Sequence, residues 1–180
     1  YPITAAQVQG ISQESELKTA WLYKFGRYVE WPKNAVPDDE KTFFIGVLGK
    51  DLFGANLDTI AATKTVQGKK IVVRRFDSAK DYLPCHILFV SASGTEKSEE
   101  KDAAARLKAA LEKTKGSAVL LVSDTKGFSS KGAIISFVIE ENLLKLEINP
   151  SAAQRAGLKI SSDLLGLSVV KIVKDTTGSN

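Results

Sequence analysis

The 180-residue chain is poor in the side chains that make and break bonds. It holds one cysteine, Cys85, one histidine, His86, and no methionine. A lone thiol excludes an internal disulfide, and one thiol with one imidazole cannot close a zinc site. Adjacent strand residues point to opposite faces, so Cys85 and His86 within Cys-His-Ile-Leu-Phe-Val do not converge as nucleophile and base. A serine triad would have to use the same His86, and the chain has no Gly-x-Ser-x-Gly elbow. Long apolar runs are also missing. Residues 87–90 and 133–139 are strand-sized, far below the roughly 18–20 residues that cross a bilayer.

Neither sign of charge dominates. Lys and Arg number 25 against 21 Asp and Glu, a net charge of +4. The two signs are interleaved, as in Lys97-Ser-Glu-Glu-Lys-Asp102, which describes a solvated helix face and not a stripe that tracks phosphates. Nucleic acid is therefore not an expected partner. Gly127 and Gly132 have phosphate-loop spacing, but the Lys and Ser/Thr that grip phosphates do not follow, and the loop precedes a strand. No Gly-x-Gly-x-x-Gly dinucleotide fingerprint is present, and no cofactor or metal is expected.

What the chain has is strong local patterning. Leu17, Ala20, Trp21, Lys24, Phe25 and Tyr28 recur at helical spacing. They predict an amphipathic helix capped by Ser12 or Ser15 and stopped near Pro32. Apolar strands are expected at residues 42–48, 69–76, 85–91 and 118–122. Helices are expected between them, one capped by Asp51 and one spanning about residues 99–115. Glu141-Asn142 separates two further apolar runs, a hairpin signal. Pro150 opens a short helix that Gly157 stops, and residues 164–173 close the domain with a last strand. Strand–helix alternation predicts an α/β fold, one three-layer domain whose mixed, mostly parallel sheet is flanked by helices and carries a C-terminal β-hairpin. Residues 1–13 read as a loose polar arm, 14–174 as the domain and 175–180 as a polar tail. The chain opens at Tyr1 and not at Met, read here as a processed chain whose export signal has been removed.

Candidate sites follow from residue chemistry. Trp21, Tyr23, Phe25, Tyr28 and Trp31 supply more aromatic area than one buried helix face needs, and aromatics anchor interfaces. Arg74 and Arg75 suit anion binding by a guanidinium fork, although one of two adjacent strand residues usually faces solvent. Glu147, Asn149 and Arg155 are candidates to hold a small ligand in an apolar pocket. Glu140 and Glu147 flank the hairpin, where a close pair would share a proton. The polar strand ends Gly49-Lys50-Asp51, Ser91-Ala92-Ser93 and Ser123-Asp124 line the edge where parallel sheets bind ligands.

Taken in order, several blocks resemble one family. These are Ala20-Trp-Leu-Tyr-Lys-Phe25-Gly-Arg-Tyr-Val-Glu30-Trp-Pro32, Gly46-Val-Leu-Gly-Lys-Asp-Leu-Phe-Gly54 and Gly68-Lys-Lys-Ile-Val-Val-Arg-Arg75. Cys85-His-Ile-Leu-Phe-Val-Ser91 and Val119-Leu-Leu-Val-Ser-Asp124 follow. The last run from Gly132-Ala-Ile-Ile-Ser-Phe137 through Leu146-Glu-Ile-Asn149 to Gly157-Leu-Lys-Ile-Ser-Ser162. Their order and spacing resemble the YfiR family of exported bacterial proteins over residues 14–173.

The resemblance implies a periplasmic α/β regulator without catalysis. It would restrain the periplasmic sensor part of a membrane diguanylate cyclase, or of a related histidine kinase, and so tune cyclic di-GMP and biofilm formation. An outer-membrane lipoprotein is the further partner it suggests, and a second copy of the chain is a separate candidate partner. A small-molecule-sensing periplasmic domain is the alternative. The chain departs from the family's characterised member in lacking the extra cysteines that form disulfides there.

Overall fold

The computed structural model describes residues 5–33, 35, 36 and 39–175, with side chains from Gln13 onward. Helix α1, Ala5–Tyr28, leads into strand β1, Val29–Glu30, and then β2, Thr42–Leu48. Helix α2, Ala55–Thr63, precedes β3, Thr65–Val66, and β4, Lys69–Phe76. A 3-10 turn, Ala79–Asp81, links to β5, Ile87–Val90, followed by α3, Ala103–Thr114, β6, Leu120–Ser123, and a second 3-10 turn, Phe128–Ser130. The hairpin β7, Ile135–Glu140, and β8, Leu143–Ile148, comes next. Helix α4, Pro150–Arg155, strand β9, Lys159–Ile160, helix α5, Ser162–Leu165, and strand β10, Val170–Ile172, complete the domain.

Eight strands form one sheet in the order β10-β8-β7-β6-β5-β2-β4-β3. Strands β4, β2, β5, β6 and β7 run parallel, β8 runs against β7 and β3 against β4, and β10 is parallel to β8. A second, two-stranded sheet pairs β1 with β9. The hairpin turn places Glu141 and Asn142 at φ 52° and 65°, the twist that a two-residue connection between right-twisted strands requires.

The central strands are apolar on both faces because helices cover both. Ile87 and Phe89 of β5 join a core with Leu22 and Phe25 of α1, Leu57 of α2, and Ala152 and Ala153 of α4. Leu88 and Val90 face the other way, into a core with Leu107 and Ala110 of α3. Residues on β2 alternate in the same manner, Phe43 and Ile45 toward α1 and Phe44 and Leu48 toward α3.

Helix α1 differs from its sequence reading at both its start and its inner face. Its backbone is helical from Ala5, so residues 5–13 continue the helix where a loose arm and a cap at Ser12 or Ser15 were expected. That segment carries no proline, and alanine and glutamine favour the helix. Residues 1–4 and 176–180, the ends of the expected arm and tail, lie outside the described residues. Ser15 instead donates its hydroxyl to the carbonyls of Leu52 and Phe53. The buried stripe runs through Thr19, Leu22 and Phe25, while Leu17 is 50% exposed. At Gly26 an added Cβ would sit 2.7 Å from Val66 Cγ1, so the glycine lets α1 close onto β3.

Phe25 is fully buried and stacks between Trp21 and Phe137, with centroids 6.0 Å and 6.1 Å away. Phe25→Ala is expected to cost about 3–5 kcal/mol, and Leu17→Ala less than about 0.5 kcal/mol. Urea unfolding of the two variants checks both values.

Candidate functional site

The only imidazole of the chain is sealed in an aromatic cage. His86 is 4% exposed. Its ring stacks on Phe43 at 4.6 Å and meets Trp31 edge-on at 5.9 Å. Nδ1 accepts the backbone N–H of Phe44 at 3.0 Å, and the His86 carbonyl accepts the Trp31 indole N–H at 2.9 Å. Burial, helped by the Lys69 charge, lowers its pKa from 6.5 to about 4, so the ring stays neutral. Cys85 lies on the opposite face, fully buried in the α3-side core. Burial pushes its thiol up to about 12, which removes the thiolate that nucleophilic chemistry needs.

The aromatic candidates on and after α1 divide. Phe25 belongs to the core, whereas Trp21, Tyr23, Tyr28 and Trp31 are half-buried against it. Lys24 covers the Trp21 ring at 4.9 Å and Lys64 the Tyr23 ring at 5.6 Å. Beside Trp21's helix, Leu17, Ile139 and Leu144 line a cleft of about 290 Å³ between α1 and the hairpin tip. Leu17 and Ile139 are 50% and 48% exposed.

The anion-binding candidates are occupied by internal partners. Arg75 pairs with Asp51 at 2.7 Å and Asp58 at 3.1 Å. Arg74 lies over the Phe44 ring at 3.8 Å and donates to the Pro84 carbonyl. Asp51 therefore does not cap α2. Its second oxygen accepts the Phe53 N–H, and Gly54 holds the cap position without a side-chain bond.

Glu147, Asn149 and Arg155 gather near one corner, but each is engaged. Asn149 accepts the Ala152 N–H as the cap of α4. Its amide donates to the Ser129 carbonyl and to Asp175, both at 2.8 Å. Arg155 grips the same Asp175 at 2.9 Å and 3.1 Å, and these bonds lower the Asp175 pKa. Glu147, 5% exposed, accepts the Gly127 N–H at 3.2 Å.

The Glu140–Glu147 proton-sharing pair does not form. Strand β7 pairs Glu140 with Leu143, at the turn, and Ser136 with Glu147. Four residues of strand separate the two along the hairpin, about 13 Å, and Glu140 faces Lys126 instead.

The polar strand ends hold one another. Lys50 N–H donates to the Ser93 carbonyl, and Ala92 N–H to Asp124 at 2.8 Å. Burial raises the Asp124 pKa. Over this edge lies a residue the sequence reading missed, Arg106, 2% exposed, which donates to the Ser91 carbonyl at 2.8 Å. Its spacing from Ala103 and Ala110 on the inner face of α3 was the available signal. Two neighbouring clefts lie at the opposite edge of the sheet. Arg155 lines one, of about 420 Å³, and Tyr82 and Pro84 line the other, of about 530 Å³.

The model of the YfiR/HmsC-like family matches residues 15–169. No curated protein matches the chain by sequence. Among solved structures, the chain is similar to a conserved domain protein from Vibrio cholerae O1 biovar El Tor, with a TM-score of 0.53 and 14% identity. The match covers 87% of this chain and 60% of that one, so this chain spans under two thirds of that relative. At that identity the likeness concerns the fold.

Two measurements test the site as described. Unfolded imidazole takes up a proton below about pH 6.5, whereas folded His86 does so only near pH 4. The unfolded state therefore binds more protons in that window, and stability falls as pH drops through it, by on the order of 3 kcal/mol. His86→Gln is expected to remove this loss, read as urea midpoints at about pH 7 and about pH 4.5. Asn149→Ala removes a cap, a buried donor bond and a part-buried one and is expected to cost about 2–3 kcal/mol, measured in the same way.

Proposed function

The chain belongs to the YfiR/HmsC-like family, and from that premise we propose that it is a periplasmic regulator that restrains the sensor part of a membrane diguanylate cyclase by direct contact. The observation that carries the reading is the outer face of α1. Leu17 and Trp21 are four residues apart on one helix, so they stand on neighbouring turns. Ile139 and Leu144 extend this apolar surface onto the hairpin. Half-buried aromatics held from below by a packed core are rigid anchors of the kind that dominate protein interfaces.

Regulation without turnover agrees with the state of the two most reactive side chains. His86 is neutral within a cage of rings, and Cys85 is a protonated thiol in the opposite core. A related histidine kinase, an outer-membrane lipoprotein or a second copy of the chain would meet the same surface. The small-molecule reading has less support, since Arg74, Arg75, Glu147 and Asn149 each already hold partners inside the fold.

The test is binding of the purified periplasmic part of a membrane diguanylate cyclase. Trp21→Ala combined with Tyr23→Ala is expected to weaken binding at least about thirty-fold, a hot-spot loss of about 2 kcal/mol. Circular dichroism verifies that the variant remains folded. Unchanged affinity removes α1 as the contact element.

A further inference from the structure

The two clefts at the end of the sheet opposite the polar strand ends adjoin one another. They share Gly116, Ser117, Val119, Ala156 and Gly157. Each falls within the roughly 300–1,000 Å³ of binding clefts; joined at this waist, they make a run longer than either. The floor is apolar where Leu111, Leu121 and Ile134 show through. At the waist the walls are low, because a Cβ added at Gly116 or Gly157 would meet open space.

The charge of the lining has one sign. Lys113, Lys115 and Arg155 line the clefts, and among the described residues no Asp or Glu does. Arg155 is neutralised from behind by Asp175. Lys113 in the last turn of α3 and Lys115 at its C-cap are exposed, and among the described residues neither stands in an ion pair. An apolar floor beneath two free ammonium groups complements a chain that alternates apolar and acidic side chains. A nucleic acid would find the floor too apolar and the cations too few.

We propose that this double cleft seats an extended acidic segment of a partner protein. Its apolar side chains enter the two lobes, and its carboxylates face Lys113 and Lys115. The α1 surface is separate, so this site stands or falls independently of that contact.

The experiment uses the full chain and a short N-acetylated peptide of alternating Glu and Leu. Nuclear magnetic resonance locates the contact, and calorimetry measures affinity at low and at physiological salt. The expected result is amide shifts at Gly116, Ser117 and Gly157, with affinity that falls as salt rises. Lys113→Glu with Lys115→Glu, and separately Ser117→Trp at the exposed waist, are each expected to weaken binding at least about ten-fold. Lys171→Glu on β10 and the Trp21→Ala, Tyr23→Ala variant should bind as the parent does. Four results would overturn the proposal. They are no shifts at the waist, equal binding of a Lys-Leu peptide, indifference to Ser117→Trp, or free glutamate producing the same shifts with the same affinity. The last would make the cleft a small-molecule site.

Discussion

A continuous ladder of aromatic rings holds the molecule in its working shape. Trp21 stacks on Phe25, Phe25 on Phe137, Phe137 meets Phe89 at 6.3 Å, and Phe89 meets Phe53 edge-on at 4.8 Å. It passes from the half-exposed rim of α1 through the hairpin and the centre of the sheet to the entry of α2. Each step adds ring–ring attraction to the burial of large apolar area. Helix α1 alone, with mixed polarity along its length, would be marginal in water. Docked by this ladder, it becomes a rigid edge that presents the remaining surface of Trp21 and Tyr23 outward.

The same economy governs the polar groups. Trp31, His86 and Phe44 exchange hydrogen bonds that fasten the segment after α1 to the sheet. Asn149, Arg155 and Asp175 tie α4 to the chain's C-terminal end. Arg75, Asp51 and Asp58 tie β4 to the entry and first turn of α2. Groups with catalytic potential elsewhere serve here as fasteners, because buried polar atoms cost stability unless they are bonded. The fold thus keeps His86, Cys85 and most of its candidate polar groups bonded or buried inside.

Local features and the mixed, mostly parallel sheet flanked by helices were legible from the sequence, whereas individual side-chain partners were not. The strands at residues 42–48 and 69–76, the hairpin turn at Glu141-Asn142 and the Gly157 stop were readable because each depends on neighbours within a few positions. The single use of His86 as a packed ring followed from its place in an apolar strand. Other features depended on partners distant in sequence. Asp51 has the chemistry of a helix cap, yet Arg75 claims it across the β2–β4 pairing. Glu140 and Glu147 look like neighbours until the register sets them at opposite ends of the hairpin. Phe25 and Trp21 carry the same pattern signal, and only the position of Phe137 makes one core and the other rim. The double cleft was invisible because its walls come from α3, β6, α4 and five separate loop segments.

In the proposed regulation the chain lowers cyclase output by occupying the sensor part. The most direct measurement is the rate of cyclic di-GMP formation by a full-length membrane diguanylate cyclase in vesicles, with the purified chain added on the periplasmic side. Output is predicted to fall in proportion to chain added and to level off once the cyclase is matched. A rate that stays unchanged at saturating chain, with the cyclase shown to be active, would contradict it.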